Sequence, residues 1–124
     1  MIANHAVPVV ADAWLKGIRT PYFTDNEIFN ALWTTVTKMH HGNHIDLINR
    51  YGYIPYDDKM TAVDNGRETV SKLLEGIYDD YCVAQMAKSL NKWKEYAFLM
   101  NRAGYYRNVY DAGSGFMRGK NEKR

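Results

Sequence analysis

An all-α fold built from helical hairpins is what this sequence predicts. Three observations carry that expectation. Apolar residues return at steps of three and four in four separate stretches, the spacing of one helix face. Proline occurs only 3 times in 124 residues, while Ala, Leu, Lys, Glu and Met fill the long stretches. No alternating run of comparable strength marks a strand. Helices alternating with short returns make either a small bundle or part of an α/α toroid.

The first helix is expected from Asn4 to Ile18, with Ala6, Val7, Val10, Ala13, Trp14 and Ile18 on one face. Asn4 can cap its start, Pro8 is tolerated near the first turns, and Gly17 marks the stop. Thr20 to Phe23 connects. Thr24 or Asp25 then caps a second helix, with Glu27 at its positive end. Ile28, Phe29, Leu32, Trp33, Val36 and Met39 form its stripe, and His40-His41-Gly42 ends it. Asn43 to Arg50 predicts a short helix with Ile45 and Ile48 inward. Tyr51 to Gly66 is read as a long ordered loop, of a length that often carries function.

A third long helix is expected from Glu68 to Leu90. Its apolar face is wide, which predicts burial on more than one side. Asn91 breaks it. A fourth helix runs from Lys92 to about Val109, with Trp93, Tyr96, Ala97, Met100, Ala103 and Tyr106 inward. Asp111 to Gly115 is a turn, and Lys120 to Arg124 is a polar tail expected to fray.

Composition excludes several classes. At 14.4 kDa the chain has the size of one domain. Its 16 Lys and Arg against 14 Asp and Glu are scattered, so the basic pI of about 8.6 is no sign of nucleic-acid binding. No apolar run approaches the ~18 residues of a membrane span, and no secretory signal opens the chain. The single cysteine, Cys82, lies in the apolar run Tyr81 to Ala84 and is expected to pack inertly in the core. Gly113-Ser114-Gly115 lacks the lysine and following helix of a phosphate loop, and Ser114 lacks a nucleophile-elbow context.

Glu75 is the first candidate for chemistry. It lies within the third long helix, beside Leu74 and Ile77. A carboxyl buried among apolar groups has a raised pKa, the property a general acid needs. The plainer alternative is a solvated Glu75, or one paired with Lys72 or Lys88. Asp79 lies one turn on, and Asp79-Asp80 could act as acid and base, hold a metal, or orient sugar hydroxyls. A hydrogen-bonded structural Asp is an equal alternative. No third ligand stands at a diagnostic metal spacing. His40 and His44 have i, i+4 spacing, but Gly42 and Asn43 intervene and weaken a zinc reading. His5, at the start of the first helix, could cap it or touch substrate. The abundant tyrosines, 10 in all, offer surfaces that suit either a core or a sugar site.

Four ordered stretches say more than spacing does. They are Asn4-His5-Ala6-Val7-Pro8-Val9-Val10-Ala11-Asp12-Ala13-Trp14-Leu15-Lys16-Gly17, then Gly52-Tyr53-Ile54-Pro55, then Val70 through Ala84, and last Tyr106 to Asp111 with Gly115 to Gly119. The ordered set resembles the catalytic domain of glycoside hydrolase family 92, the calcium-dependent exo-acting α-mannosidases. The resemblance covers Asn4 to about Lys120. It implies an all-α fold belonging to an (α/α)6 toroid, and hydrolysis of terminal α-mannosides, α-1,2 links among them, with inversion. It implies Glu75 as the general acid, and His5, Tyr78, Asp79 and Asp80 as substrate contacts. It also implies a periplasmic or secreted enzyme acting on mannose-containing glycans.

Departures temper what carries over. Around Glu75 the family pattern is Thr-Leu-Glu-Tyr-Ala-Tyr-Asp-Asp. Here Leu73 replaces Thr, Gly76 replaces Tyr and Ile77 replaces Ala. Nothing in the chain matches the family's general-base aspartates, which lie beyond the Met117-Arg118-Gly119 motif. Most of the calcium site is also unmatched, so calcium is not expected to bind well. The chain therefore resembles an excised middle piece that carries the acid and lacks the base. Such a piece should be a poor catalyst alone and should self-associate through exposed helical faces. The alternative is a non-catalytic helical module for sugar or protein binding.

Overall fold

The computed structural model describes residues 5–38, 44–56 and 68–121, which form an all-α arrangement. The helices are α1 (Ala6–Leu15), α2 (Asp25–Thr37), α3 (Ile45–Tyr51), α4 (Thr69–Ser89) and α5 (Trp93–Ala103). A 3-10 helix (Gly104–Asn108) follows, then β1 (Tyr110–Asp111) and β2 (Phe116–Met117). None of the described helices is long and apolar enough to cross a membrane.

The long helix α4 is the hub. It packs against α5, α1, α2 and the 3-10 helix. One core lies where Val7, Ala11 and Trp14 of α1 and Phe29, Leu32 and Val36 of α2 meet Val83, Ala84, Met86 and Ala87 of α4 and Leu99 of α5. A second core joins Ile48, Tyr53 and Ile54 to Leu73 and Ile77, on the first half of α4, and to Val109. The broad apolar face expected of α4 thus divides between two cores.

Helix α1 and helix α2 are held at their junction by a side-chain knot. The Trp14 indole N–H donates to Asp25 at 2.8 Å, and Arg19 pairs with Asp25 at 3.0 Å. The Arg19 guanidinium also lies 4.2 Å over the Trp14 ring. Thr24, rather than Asp25, caps α2: its side chain accepts from the Glu27 N–H, and the Glu27 carboxylate accepts from the Thr24 N–H. This reciprocal pair satisfies two otherwise orphaned donors. Thr24→Ala should therefore cost ~1 kcal/mol, read as a lower thermal midpoint. The Thr24 backbone N–H, and after it the Thr24 side chain, hold the Glu27 pKa below its ordinary value. A depressed carboxylate pKa stabilises the fold above the ordinary Glu range. That contribution should fade as pH falls through the folded-state value, in the wild type and largely in Thr24→Ala too, because the main-chain donor at residue 24 is kept.

Several sequence expectations need correction. α5 ends at Ala103, where the chain tightens into the 3-10 helix instead of continuing to Val109. Its buried residues are Leu99 and Arg102. Trp93 is 54% exposed and Tyr106 40%, so neither is an inner residue. The hairpin β1–β2 pairs Tyr110 with Met117 and Asp111 with Phe116, a short ladder that no strand pattern announced. Lys120 and Asn121 do not fray. The Lys120 carbonyl accepts from the Tyr56 N–H at 2.7 Å, and the Asn121 carbonyl accepts from the Tyr53 hydroxyl at 2.8 Å. Gly52 ends α3 in a left-handed conformation, φ 78°, and a Cβ there would stand 2.8 Å from Asn108 Nδ2. Asn108 donates to the Gly52 carbonyl, so this turn requires a glycine. Asn4, the proposed first cap, Met39 to Gly42 and most of the expected 51–66 loop lie outside the described residues.

Candidate active site

Helix α4 is covered on most of its circumference, and one narrow stripe is left open. Ser71, Glu75 and Tyr78 are exposed along it, with Tyr81 at its margin and Cys82 and Gln85 half-buried. Steps of four and three keep these residues on one face. Glu75 is thus a solvent-facing carboxyl, not one sunk among apolar groups. Leu74 and Ile77 turn away from it, and Ile77 enters the second core. No hydrogen bond or ion pair engages Glu75 among the described residues. The alternative pairing with Lys72 or Lys88 is not formed: Lys72 Nζ lies 3.5 Å from His44 Nε2, and Lys88 Nζ lies over the Tyr96 ring.

Tyr78 stands one turn from Glu75 with 54% of its surface exposed. Its hydroxyl pKa is raised, chiefly by a hydrogen bond with the Cys82 thiol. Burial raises the Cys82 thiol as well, and Asp79 and Asp12 add to that while Tyr78 opposes it. Cys82 packs against the first core. A thiol held protonated in this way is a poor nucleophile.

The two aspartates part company. Asp79 is 6% exposed and Asp80 3%. The helix turns by about 100° per residue, so Asp79 sits about 40° round from Glu75, and the edge of the covered surface falls between them. Asp80 faces fully inward. Its carboxylate accepts two hydrogen bonds from Arg102, from Nε at 2.8 Å and from Nη2 at 2.7 Å. Burial pushes the Asp80 pKa up, and the guanidinium opposes that shift. His5 is exposed at the N-terminal cap position of α1, without a side-chain capping bond. Of the five sequence candidates, the structure brings Glu75 and Tyr78 onto one open face, with Asp79 at its border.

Arg102 was missed by sequence reasoning. Besides Asp80, it donates to the Val36 carbonyl at 2.5 Å and faces Asn49 Oδ1 at 3.4 Å. One guanidinium on α5 therefore ties α4, α2 and α3 together. The available signal was Asp80 itself, a carboxylate deep in a helix with two covered faces, which needs a cation from the neighbouring helix.

Among the described residues no group of three or more His, Cys, Asp or Glu side chains is placed to hold a metal ion. These residues do not by themselves make a calcium site.

The Glyco_hydro_92 model, described as the glycosyl hydrolase family 92 catalytic domain, matches residues 1–124. The chain belongs to glycosyl hydrolase family 92. It is similar in structure to the family GH92 α-mannosidase BT3965 of Bacteroides thetaiotaomicron, at 36% identity and a TM-score of 0.84. The match covers 99% of this chain and 15% of that enzyme. The same enzyme in complex with mannoimidazole matches at 36% identity and 0.83, over 99% of this chain and 15% of that one. The family GH92 inverting mannosidase BT2199 of Bacteroides thetaiotaomicron VPI-5482 matches at 31% identity and 0.83, over 99% of this chain and 16% of that one. No curated protein sequence matches. The family 92 chain thus spans about a seventh of the length of these solved relatives.

Proposed function

We propose that this family 92 chain supplies the acid side of a site that hydrolyses terminal α-mannosides, with Glu75 as the general acid. One observation supports the reading: the stretch that resembles the family's acid motif lies on an open stripe of α4, and Glu75 stands there unengaged among the described residues. In this reading the Glu75 carboxyl donates its proton to the glycosidic oxygen as the bond from that oxygen to the anomeric carbon breaks. A water molecule, deprotonated by a carboxylate base on the opposite face, adds to the anomeric carbon and inverts it. The products are mannose and the freed alcohol. Glu75 is left ionised and the base protonated.

Asp80 is committed to Arg102 and is not that base. The base comes from the part of a family 92 catalytic domain that this chain does not match. Tyr78 offers an exposed ring beside the acid, suited to stacking on a sugar face. Terminal α-1,2-linked mannose on glycans is the proposed substrate. Calcium, in the complete site, is assigned no ligand among the described residues.

The test is a segment exchange, with this chain set in place of the matching stretch of BT3965. The exchanged enzyme should release mannose from α-1,2-mannobiose. The 124-residue chain alone should release none, with calcium or with a chelator. A folded, inactive exchanged enzyme would contradict the proposal, and so would turnover by the chain alone, which would place a base inside it.

A further inference from the structure

The start of α4 opens on a cavity of about 350 Å³, lined by Tyr56, Glu68, Thr69, Val70, Ser71 and Gly119. No side chain caps this end of the 21-residue helix. The bond from the Lys72 N–H to the Glu68 carbonyl, 2.9 Å, begins the helical ladder. The N–H groups of Thr69, Val70 and Ser71 lie before it and have no partner among the described residues. Three donors at the positive end of α4 therefore belong to residues that line one cavity.

Thr69 supplies a second, independent observation. The residue is 2% exposed, yet its hydroxyl takes no hydrogen bond among the described residues. No polar side-chain atom among them is sealed in without a partner, so this oxygen opens on the cavity that Thr69 lines. Gly119 keeps the space in front of it clear. A Cβ at Gly119 would stand 3.5 Å from Thr69 Oγ1, 3.8 Å from Val70 Cγ2 and 3.9 Å from Tyr56 Cβ. The bond from the Tyr56 N–H to the Lys120 carbonyl, 2.7 Å, ties the Tyr56 and Gly119 sides of the cavity together.

We propose that this cavity binds a tetrahedral oxyanion, phosphate or sulfate in class, free or carried on an ester. Unpaired N–H groups at a helix start form an anion site. Their bonds to an anion are charge-assisted, as is one from the Thr69 hydroxyl, and a tetrahedral ion has acceptors for all of them. The Ser71 hydroxyl adds a donor at the exposed edge. Glu68 is the adverse charge on the lining, and no cation stands among the lining residues. Affinity should therefore be weak, with a Kd on the order of 1 mM. The site uses neither Glu75 nor any group assigned to hydrolysis.

The experiment is an NMR titration of the full 124-residue chain with sodium phosphate and with glycerol 3-phosphate, against sodium chloride at matched ionic strength. Phosphate should shift the amide signals of Thr69, Val70 and Ser71 and raise the thermal midpoint, and chloride should do neither. Tighter binding of the ester would support the site and assign it to a phosphate ester; tighter binding of phosphate would support it and assign it to the free ion. Thr69→Val keeps the shape of the side chain and removes the hydroxyl. It should bind phosphate about tenfold more weakly and melt in chloride no lower than the wild type. Glu68→Gln should bind about fivefold more tightly at low salt. No shift at residues 69–71 beyond that in chloride would overturn the proposal. So would equal affinity in Thr69→Val, or weaker binding by Glu68→Gln, which would make the carboxylate a ligand for a cation. Glu75→Gln should bind phosphate as the wild type does, so this site and the acid assignment fail separately.

Discussion

Arg102→Ala should unfold this chain more readily than any other single substitution considered for it. Its guanidinium and the Asp80 carboxylate are both nearly inaccessible, at 3% and 4% of their side-chain surfaces. Removing the cation leaves a buried carboxylate without its partner, a change that typically costs about 3–5 kcal/mol. The Val36 carbonyl loses its donor as well, and an orphaned buried acceptor costs about 1–3 kcal/mol. A domain of this size has only about 5–15 kcal/mol of stability in total. The urea midpoint, followed by circular dichroism, should therefore drop steeply. The double variant Asp80→Leu/Arg102→Met should recover most of the loss, because a buried ion pair replaced by apolar groups of similar volume is often neutral. It should not recover the share due to Val36. A loss below about 1 kcal/mol in Arg102→Ala would mean that the pair is hydrated and does not tie the four helices.

Glu75→Gln should give the largest functional effect. Glutamine keeps the shape of glutamate and cannot donate an acidic proton. In the exchanged enzyme, turnover of α-1,2-mannobiose should fall by about 10²–10⁴-fold, the usual contribution of a positioned acid. Stability should hardly change, since Glu75 is exposed and engages no described residue. The pairing of a large kinetic loss with an unchanged melting curve separates Glu75 from Arg102, whose loss should act through folding.

The helices were largely legible in the sequence, because periodicity and capping are local. Thr24 and Glu27 announced the start of α2, and Ile45 and Ile48 the inner side of α3. The inner face of α5 was misjudged for a physical reason. The aromatic residues Trp93 and Tyr106 read as core markers, but both lie half outside. Of the two residues that do point inward, Leu99 and Arg102, one is charged, and a buried arginine is visible only once its partner aspartate has been placed. Glu75 shows the same limit in reverse. Its sequence neighbours are apolar, so a buried and a solvated Glu75 both stood open, and the helix turn decides for the solvated one by carrying Leu74 and Ile77 away from it. Position within the turn, not neighbours along the chain, decides exposure. The family words around Glu75 identified the chain; they did not say that Asp79 and Asp80 face inward, which follows from how α4 is covered.

The central claim is that Glu75 protonates the leaving group, and its most direct test varies that group. Turnover of α-1,2-mannobiose should be compared with that of an aryl α-mannoside bearing an acidic phenol, in the exchanged enzyme and its Glu75→Gln form. A phenolate of low basicity departs without a proton. The account predicts a loss of about 10²–10⁴-fold on mannobiose and a far smaller loss on the aryl mannoside. Equal losses on both substrates would contradict it, and would make Glu75 a binding or structural group.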